Sequence, residues 1–219
     1  MADPTKPNGG EIVSRAAKNK KPAAIFAGVV GLMLVLGIIV ILASKCERKN
    51  AGPQTMPDFG YDFVEIIPHE NIYTDASYLS KDRLIYYATG SSQTVIDRET
   101  PERYDAVVLF FCNFIDAIIS GDSIKYNSFF SDEYIKASGA HEPFTMQKVY
   151  DIILTKISSS PYRADGFEGT KSVYTLEYKI KDNNGTFRRD IGSDMNRTQY
   201  ISVLEVNGRV EIEGIFVYY

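Results

Sequence analysis

Two histidines and two cysteines are all that this 219-residue chain offers toward imidazole or thiol chemistry. Each histidine is followed by a glutamate, at His69-Glu70 and His141-Glu142. An imidazole that titrates near neutrality beside a carboxylate is raw material for general acid–base catalysis. Both pairs lie in turn sequence, the first directly after Pro68 and the second between Gly139 and Pro143, so exposed polar turns are expected at both. Cys112 sits inside VVLFFCNFI, where a small buried thiol is the ordinary outcome. Cys46 follows Lys45 and reads as a juxtamembrane acylation site, an interchain disulfide or an idle interfacial residue. Residues so placed assemble neither a disulfide framework nor a zinc site, and no metal or cofactor is expected. The sequence holds no phosphate-binding loop, no Gly-x-Ser-x-Gly and no His-Glu-x-x-His.

The elements that must position these groups begin with residues 23–43, AAIFAGVVGLMLVLGIIVILA, a run without a charge, amide or hydroxyl. As a helix it spans roughly 31 Å, the thickness of a bilayer's hydrocarbon core, and it predicts a single transmembrane helix. It is too long for a cleaved signal peptide, and Lys45 before Cys46 does not suit a lipoprotein exit. Residues 1–22 carry five basic side chains against Asp3 and Glu11 and read as a disordered cytoplasmic tail. Only Lys45, Arg48 and Lys49 follow the run, so the bias predicts a cytoplasmic N-terminus and an extracytoplasmic remainder in the cell membrane. Ala23, Ala27 and Gly31, with Ala24 and Gly28, fall four residues apart and allow close helix pairing in a homodimer. Subtracting the tail's +3 from the whole-chain −4 leaves −7 for residues 44–219, a balance that argues against nucleic acid.

Residues 44–99 are expected as a stalk, with NAGPQTMPDFG as linker and YDFVEII as a short strand stopped by Pro68. SKDRLIYYATG reads either as a helix between Ser80 and Gly90 or as a hairpin arm paired with TVID. The aromatic density of Tyr61, Phe63, Tyr73, Tyr78, Tyr86 and Tyr87 predicts packing, on the domain itself or on a partner. From Thr100, capping with Pro101 at the first position, the apolar residues Val107, Val108, Phe111, Phe114, Ile115 and Ile118 predict a long buried helix ending at Gly121. Asp122 opens a short second helix, and Met146, Val149, Tyr150, Ile153, Leu154 and Ile157 predict a third, capped by Thr145. Tyr174, Leu176, Tyr178 and Ile180 alternate as the core face of a strand. Asn184-Gly185 predicts a hairpin into TFRRDI, and Asn207-Gly208 another between YISVLEV and RVEIEGIFVYY, where Gly214 marks a bulge or bend. The expected class is α+β: a transmembrane helix, then three helices on a curved antiparallel sheet of about four strands.

The stretch AVVLFFCNFIDAIISGDSIKYNSFFSDEYIKASG resembles the opening of nuclear-transport-factor-2-like domains, cone-shaped α+β modules, and the resemblance covers residues 100–219. It implies a concave sheet used as a pairing surface or as a small-molecule pocket lined by Tyr174, Tyr178 and Phe216. An isomerase-like member would need an inward carboxylate and a proton-donating tyrosine, for which Asp116 and Tyr174 or Tyr178 are the catalytic candidates. Asp116 is expected on the solvent side of its helix. The whole architecture is similar to the bitopic scaffold proteins of type IV secretion and conjugation machines, by analogy only. The expectation is therefore a membrane-anchored, non-catalytic interaction or assembly domain with a protein partner, the alternative being a tethered small-molecule binder or isomerase-like cone. Two sequons, at Asn184 and Asn196, complete the inventory.

Overall fold

The computed structural model describes residues 59–164 and 166–218. Among them lie four α-helices, α1 (Ala76–Leu79), α2 (Ala106–Ser120), α3 (Ser123–Asn127) and α4 (Asp132–Ser138), and six strands. The strands are β1 (Ile85–Thr89), β2 (Ser92–Val95), β3 (Lys148–Ala164), β4 (Phe167–Lys181), β5 (Gln199–Val206) and β6 (Arg209–Val217). They form one sheet in the order β2-β1-β3-β4-β5-β6, antiparallel at every junction except β1 with β3, which is parallel. A parallel neighbour requires a crossover, and the segment between β2 and β3, which carries α2 to α4, supplies it.

This corrects the expected architecture. The sheet is mixed and six-stranded, and the predicted third helix is the first half of β3. A bulge explains the misreading: Tyr150 pairs with Lys179 and Ile153 with Glu177, so Asp151 and Ile152 together face Tyr178. The inserted residue, Asp151 with φ 50°, turns a period of two into a spacing of three that mimics a helix. The β-branched content of Val149, Ile152, Ile153, Thr155 and Ile157 favours the strand. TFRRDI is likewise no strand but part of an irregular loop over residues 182–198, and YDFVEII runs without strand pairing. The hairpin alternative holds for SKDRLIYYATG, with β1 and β2 closing through Gly90 at φ 61°. No helix among the described residues is long and apolar enough to cross a membrane. The expected transmembrane helix thus gains no support here, and the run at 23–43 that prompted it, with Ala24, Ala27, Gly28 and Gly31, lies outside the described residues.

Helix α2 carries the core. Thr100 opens only a 3-10 turn, Pro101–Arg103, and Asp105 caps the α-helix by accepting the Val108 N–H. All six apolar residues anticipated for this face are buried, with Phe111 and Ile115 fully so. They meet Leu154, Tyr174, Leu176, Tyr178, Ile180, Ile201, Val203 and Ile212 from one face of the sheet. Each buried side chain of this size contributes about 1.5–3 kcal/mol relative to exposure. The 207–208 hairpin forms as anticipated, with Asn207 at φ 52° and Gly208 at φ 76°. So does the bulge near Gly214, where Glu213 is the unmatched residue between the Ser202–Gly214 and Val203–Ile212 pairs. The β6 edge is covered at Ile212, whose N–H donates to Phe129 O while its carbonyl accepts from Ser131 N–H.

Candidate functional site

Between the helices and the sheet the space is occupied by rings. Phe114 lies 5.0 Å from Tyr126 and 6.3 Å from Phe111, and Tyr126 meets Phe130, Phe144 and Phe187 at 5.2, 5.5 and 5.3 Å. Phe111 closes on Tyr174 at 5.0 Å. Tyr174 and Tyr178 therefore line packed interior rather than an open cavity, and both are buried. The Tyr178 hydroxyl accepts from Arg188, whereas the buried Tyr174 hydroxyl has no hydrogen-bond partner. Phe216, assigned with them to the pocket, is 57 % exposed on the opposite face of the sheet. The bulge at Glu213 is the reason, because it shifts side-chain alternation by one after Ile212. A shallow open depression is lined by Lys81, Asp82, Arg83 and Leu84 instead.

Asp116 does not join the tyrosines. Its two oxygens accept from the Arg98 guanidinium at 2.5 and 3.0 Å on the outer side of α2, with the carboxylate well exposed. His141 packs against Tyr126, Phe144 and Phe187, all at 5.3 Å, and its Nδ1 meets the Glu142 carbonyl rather than the carboxylate. His69 stands at φ 63° in an exposed turn, and Glu70 goes to Lys148 at 2.7 Å. Cys112 is a buried free thiol. Among the described residues no group of His, Cys, Asp and Glu is arranged to hold a metal ion. Both sequon asparagines spend their amide nitrogen internally, Asn184 on Thr145 and Asn196 on Glu177.

Loop 182–198 holds a charged centre that sequence reasoning passed over. Arg188 is buried, forks onto both oxygens of Asp190 at 2.5 and 2.6 Å, and donates to Tyr178 at 3.0 Å. Asn183, fully buried, knits the loop by donating to Arg188 O and Ile191 O while its Oδ1 accepts the Gly185 N–H. These bonds capture carbonyls that a ladder would use, which is why the Asn184-Gly185 turn leads into a loop and not a second strand. The sequence signal for this centre is Arg188 and Asp190 two residues apart, flanked by the apolar Phe187 and Ile191.

Across this loop lies a strap, residues 59–67. Its Phe59, Tyr61 and Phe63 stand at alternate positions, with Gly60 at φ 67° between the first two, and each ring meets the loop. Arg197 stands over the Phe59 ring at 5.4 Å. A Cβ at Gly192 would come 3.2 Å from the Tyr61 ring, and one at Gly185 2.8 Å from the Phe63 ring. The Val64 N–H donates to Asn183 O at 3.0 Å. Part of the aromatic cluster near the N-terminal side of the domain thus packs in cis, and Tyr78 does so completely, donating its hydroxyl to Val149 O. Tyr73 remains half exposed.

The sheet face away from the helices carries the largest exposed rings. Tyr200 pairs across the strands with Phe216, and Tyr218 meets Tyr200 edge-on at 5.0 Å. Gly214 makes room for the Phe216 ring, whose atoms come within 2.9 Å of where a Cβ would stand. Tyr218 is 73 % exposed. Charges nearby are spent in pairs on the same face, Lys171 with Glu213 at 2.6 Å and Lys179 with Asp151 at 2.9 Å. An apolar aromatic face of this kind suits contact with another surface.

No family model, no characterised protein and no solved structure matches the chain. Function is therefore argued from the site alone.

Burial also dictates the alkaline limit of the domain. It pushes the Tyr78 phenol up to about 12 and raises Tyr126, Tyr150, Tyr174 and Tyr178 as well. A folded-state value above the unfolded one means that the neutral phenol favours the fold, so this stability is complete below about pH 10 and is lost as pH rises toward 12. After a first, gradual rise from the solvent-exposed phenols, the rest of the absorbance change at 295 nm should come in one cooperative step together with loss of far-UV circular dichroism. Ionisation of all the phenols in a single gradual rise with the fold intact would contradict the packed interior.

Proposed function

We propose that the protein is a non-catalytic interaction or assembly component whose partner is a protein docking on the β5–β6 outer face. The observation that carries this is the exposed pair Phe216 and Tyr218, beside a half-buried Tyr200, on a sheet face that no helix covers among the described residues. Supporting it, the aromatic interior leaves Tyr174 and Tyr178 among neighbouring rings, and Asp116, the carboxylate an isomerase-like mechanism would use, is turned to Arg98. The resemblance to nuclear-transport-factor-2-like domains belongs to this reading through their use of the sheet as a pairing surface. So does the localisation read from the sequence, at the cell membrane with this domain on the extracytoplasmic side.

The test is the double substitution Phe216→Ser/Tyr218→Ser in the full-length chain. Both side chains are exposed, so melting should stay within a few degrees of wild type. Migration on a native gel of extracts from the producing cell should shift from a high-mass band to the free protein. Unchanged co-migration with the high-mass species, with the variant folded, would remove the β5–β6 face as the partner surface.

A further inference from the structure

The strap is shallowly seated, while the segment after it is deeply anchored. Phe63 and Val64 are 37 % and 44 % exposed, and Phe59 and Tyr61 are half-buried. Beyond Glu70, by contrast, Ile72 and Tyr78 are fully buried, and Asp75 meets Lys148 at 3.0 Å and Lys181 at 3.3 Å. Between the two stretches stands a tight turn, Ile67 O accepting the Glu70 N–H at 3.3 Å, with His69 left-handed immediately after Pro68. A β-carbon residue held at positive φ stores strain that an extended chain would release.

The groove under the strap is pre-built. The side-chain bonds of Asn183 and the Arg188–Asp190 pair hold loop 182–198 from within, and Gly185 and Gly192 supply two seats for rings two residues apart. Such a groove accepts an extended segment with aromatic residues at alternate positions, whichever copy of the chain provides it.

We propose that residues 59–64 exchange between two copies of this chain, each strap seating on loop 182–198 of the other, with Pro68–Glu70 as the hinge. The contacts remade between copies are those broken within one, so opening costs little beyond association, and straightening the hinge relieves His69. Two straps on two grooves give a closed two-fold pair. This goes beyond the interaction reading, whose surface is the β5–β6 face, and the two fail separately.

The experiment uses the full-length chain with Cys46→Ser, since Cys112 is buried. Asp62→Cys and Met195→Cys are placed in two differently tagged copies, next to the strap and groove sides of the Tyr61–Gly192 contact, where the Met195 sulfur and the Tyr61 ring converge. The copies are co-expressed and treated with a short bis-maleimide. Exchange predicts an adduct joining the two tags. His69→Gly should lower its yield about five-fold, the worth of relieving one left-handed residue. Deleting Ile66-Ile67 should raise it by blocking closure within one chain. The same two cysteines in a single diluted chain report docking in cis. An adduct confined to that single chain, or no adduct in either arrangement, overturns the exchange. An interchain adduct that is insensitive to the hinge but lost with Phe216→Ser also overturns it and assigns the dimer to the outer sheet face.

Discussion

Arg188→Leu is expected to lower folding stability by about 3–5 kcal/mol, because it leaves the Asp190 carboxylate buried without its partner. Arg188 is 6 % exposed and Asp190 9 %, so little water is at hand to replace the two bonds at 2.5 and 2.6 Å. Tyr178 also loses the Arg188 donor inside an apolar cluster. Arg197, 3.9 Å from Asp190, softens the loss without matching the fork. For a domain of this length the change corresponds to a melting temperature lower by roughly 10 °C. The double variant Arg188→Met/Asp190→Leu should recover most of it, since replacing both members of a buried pair with apolar groups of similar volume is often close to neutral. Thermal melting of the single and double variants, followed by near-UV circular dichroism, forms the cycle. A loss below about 1 kcal/mol for Arg188→Leu would mean that the pair is solvated and the loop open.

Gly121→Ala is the second large effect, expected at about 2–5 kcal/mol, and Gly139→Ala provides a case of backbone cost without a clash. Both glycines close helices with positive φ, 69° and 82°. Nothing lies within 4 Å of a Cβ at Gly139, so alanine there bears only the backbone cost of its φ 82°, ψ 160° conformation, about 1–3 kcal/mol. At Gly121 the added carbon would stand 2.6 Å from the Met146 nitrogen and 2.7 Å from the Thr145 carbonyl carbon. These are backbone atoms at the entry to β3, tied to the helix by the Gln147 N–H donating to Ile119 O at 3.2 Å. No rotamer relieves that overlap, so helix and strand must separate. A loss at Gly121 no larger than the left-handed penalty alone, about 1–2 kcal/mol, measured by melting, would show that the close approach is not maintained in solution.

Helix α2 was legible because its evidence is local. Six apolar residues at helical spacing and a terminal glycine need no knowledge of what they pack against, and all six are buried. The Asn207-Gly208 hairpin and the Gly214 bulge were legible for the same reason. The start of α2 moved from Thr100 to Asp105 because Tyr104 is extended, which restricts Thr100 to a single 3-10 turn. The first half of β3 was misread because a bulge is a statement about two strands. Only the pairing with β4 reveals that Asp151 is the extra residue, and only the parallel contact with β1 shows that this segment belongs at the middle of a sheet. The Phe216 assignment failed for the same physical reason, one register slip sending a ring to the other face.

By itself, then, the sequence determined what depends on neighbours along the chain: the buried face and stop of α2, the core alternation of β4, the β5–β6 turn, the acidic balance and the scarcity of reactive groups. The tertiary structure decided whatever depends on neighbours in space. It drew the Arg188–Asp190 pair beneath Tyr178, seated three alternate aromatic rings of residues 59–63 on loop 182–198, and left Phe216 and Tyr218 facing outward. Burial, ion pairing and close approach are relations between distant segments, and no spacing along one strand contains them.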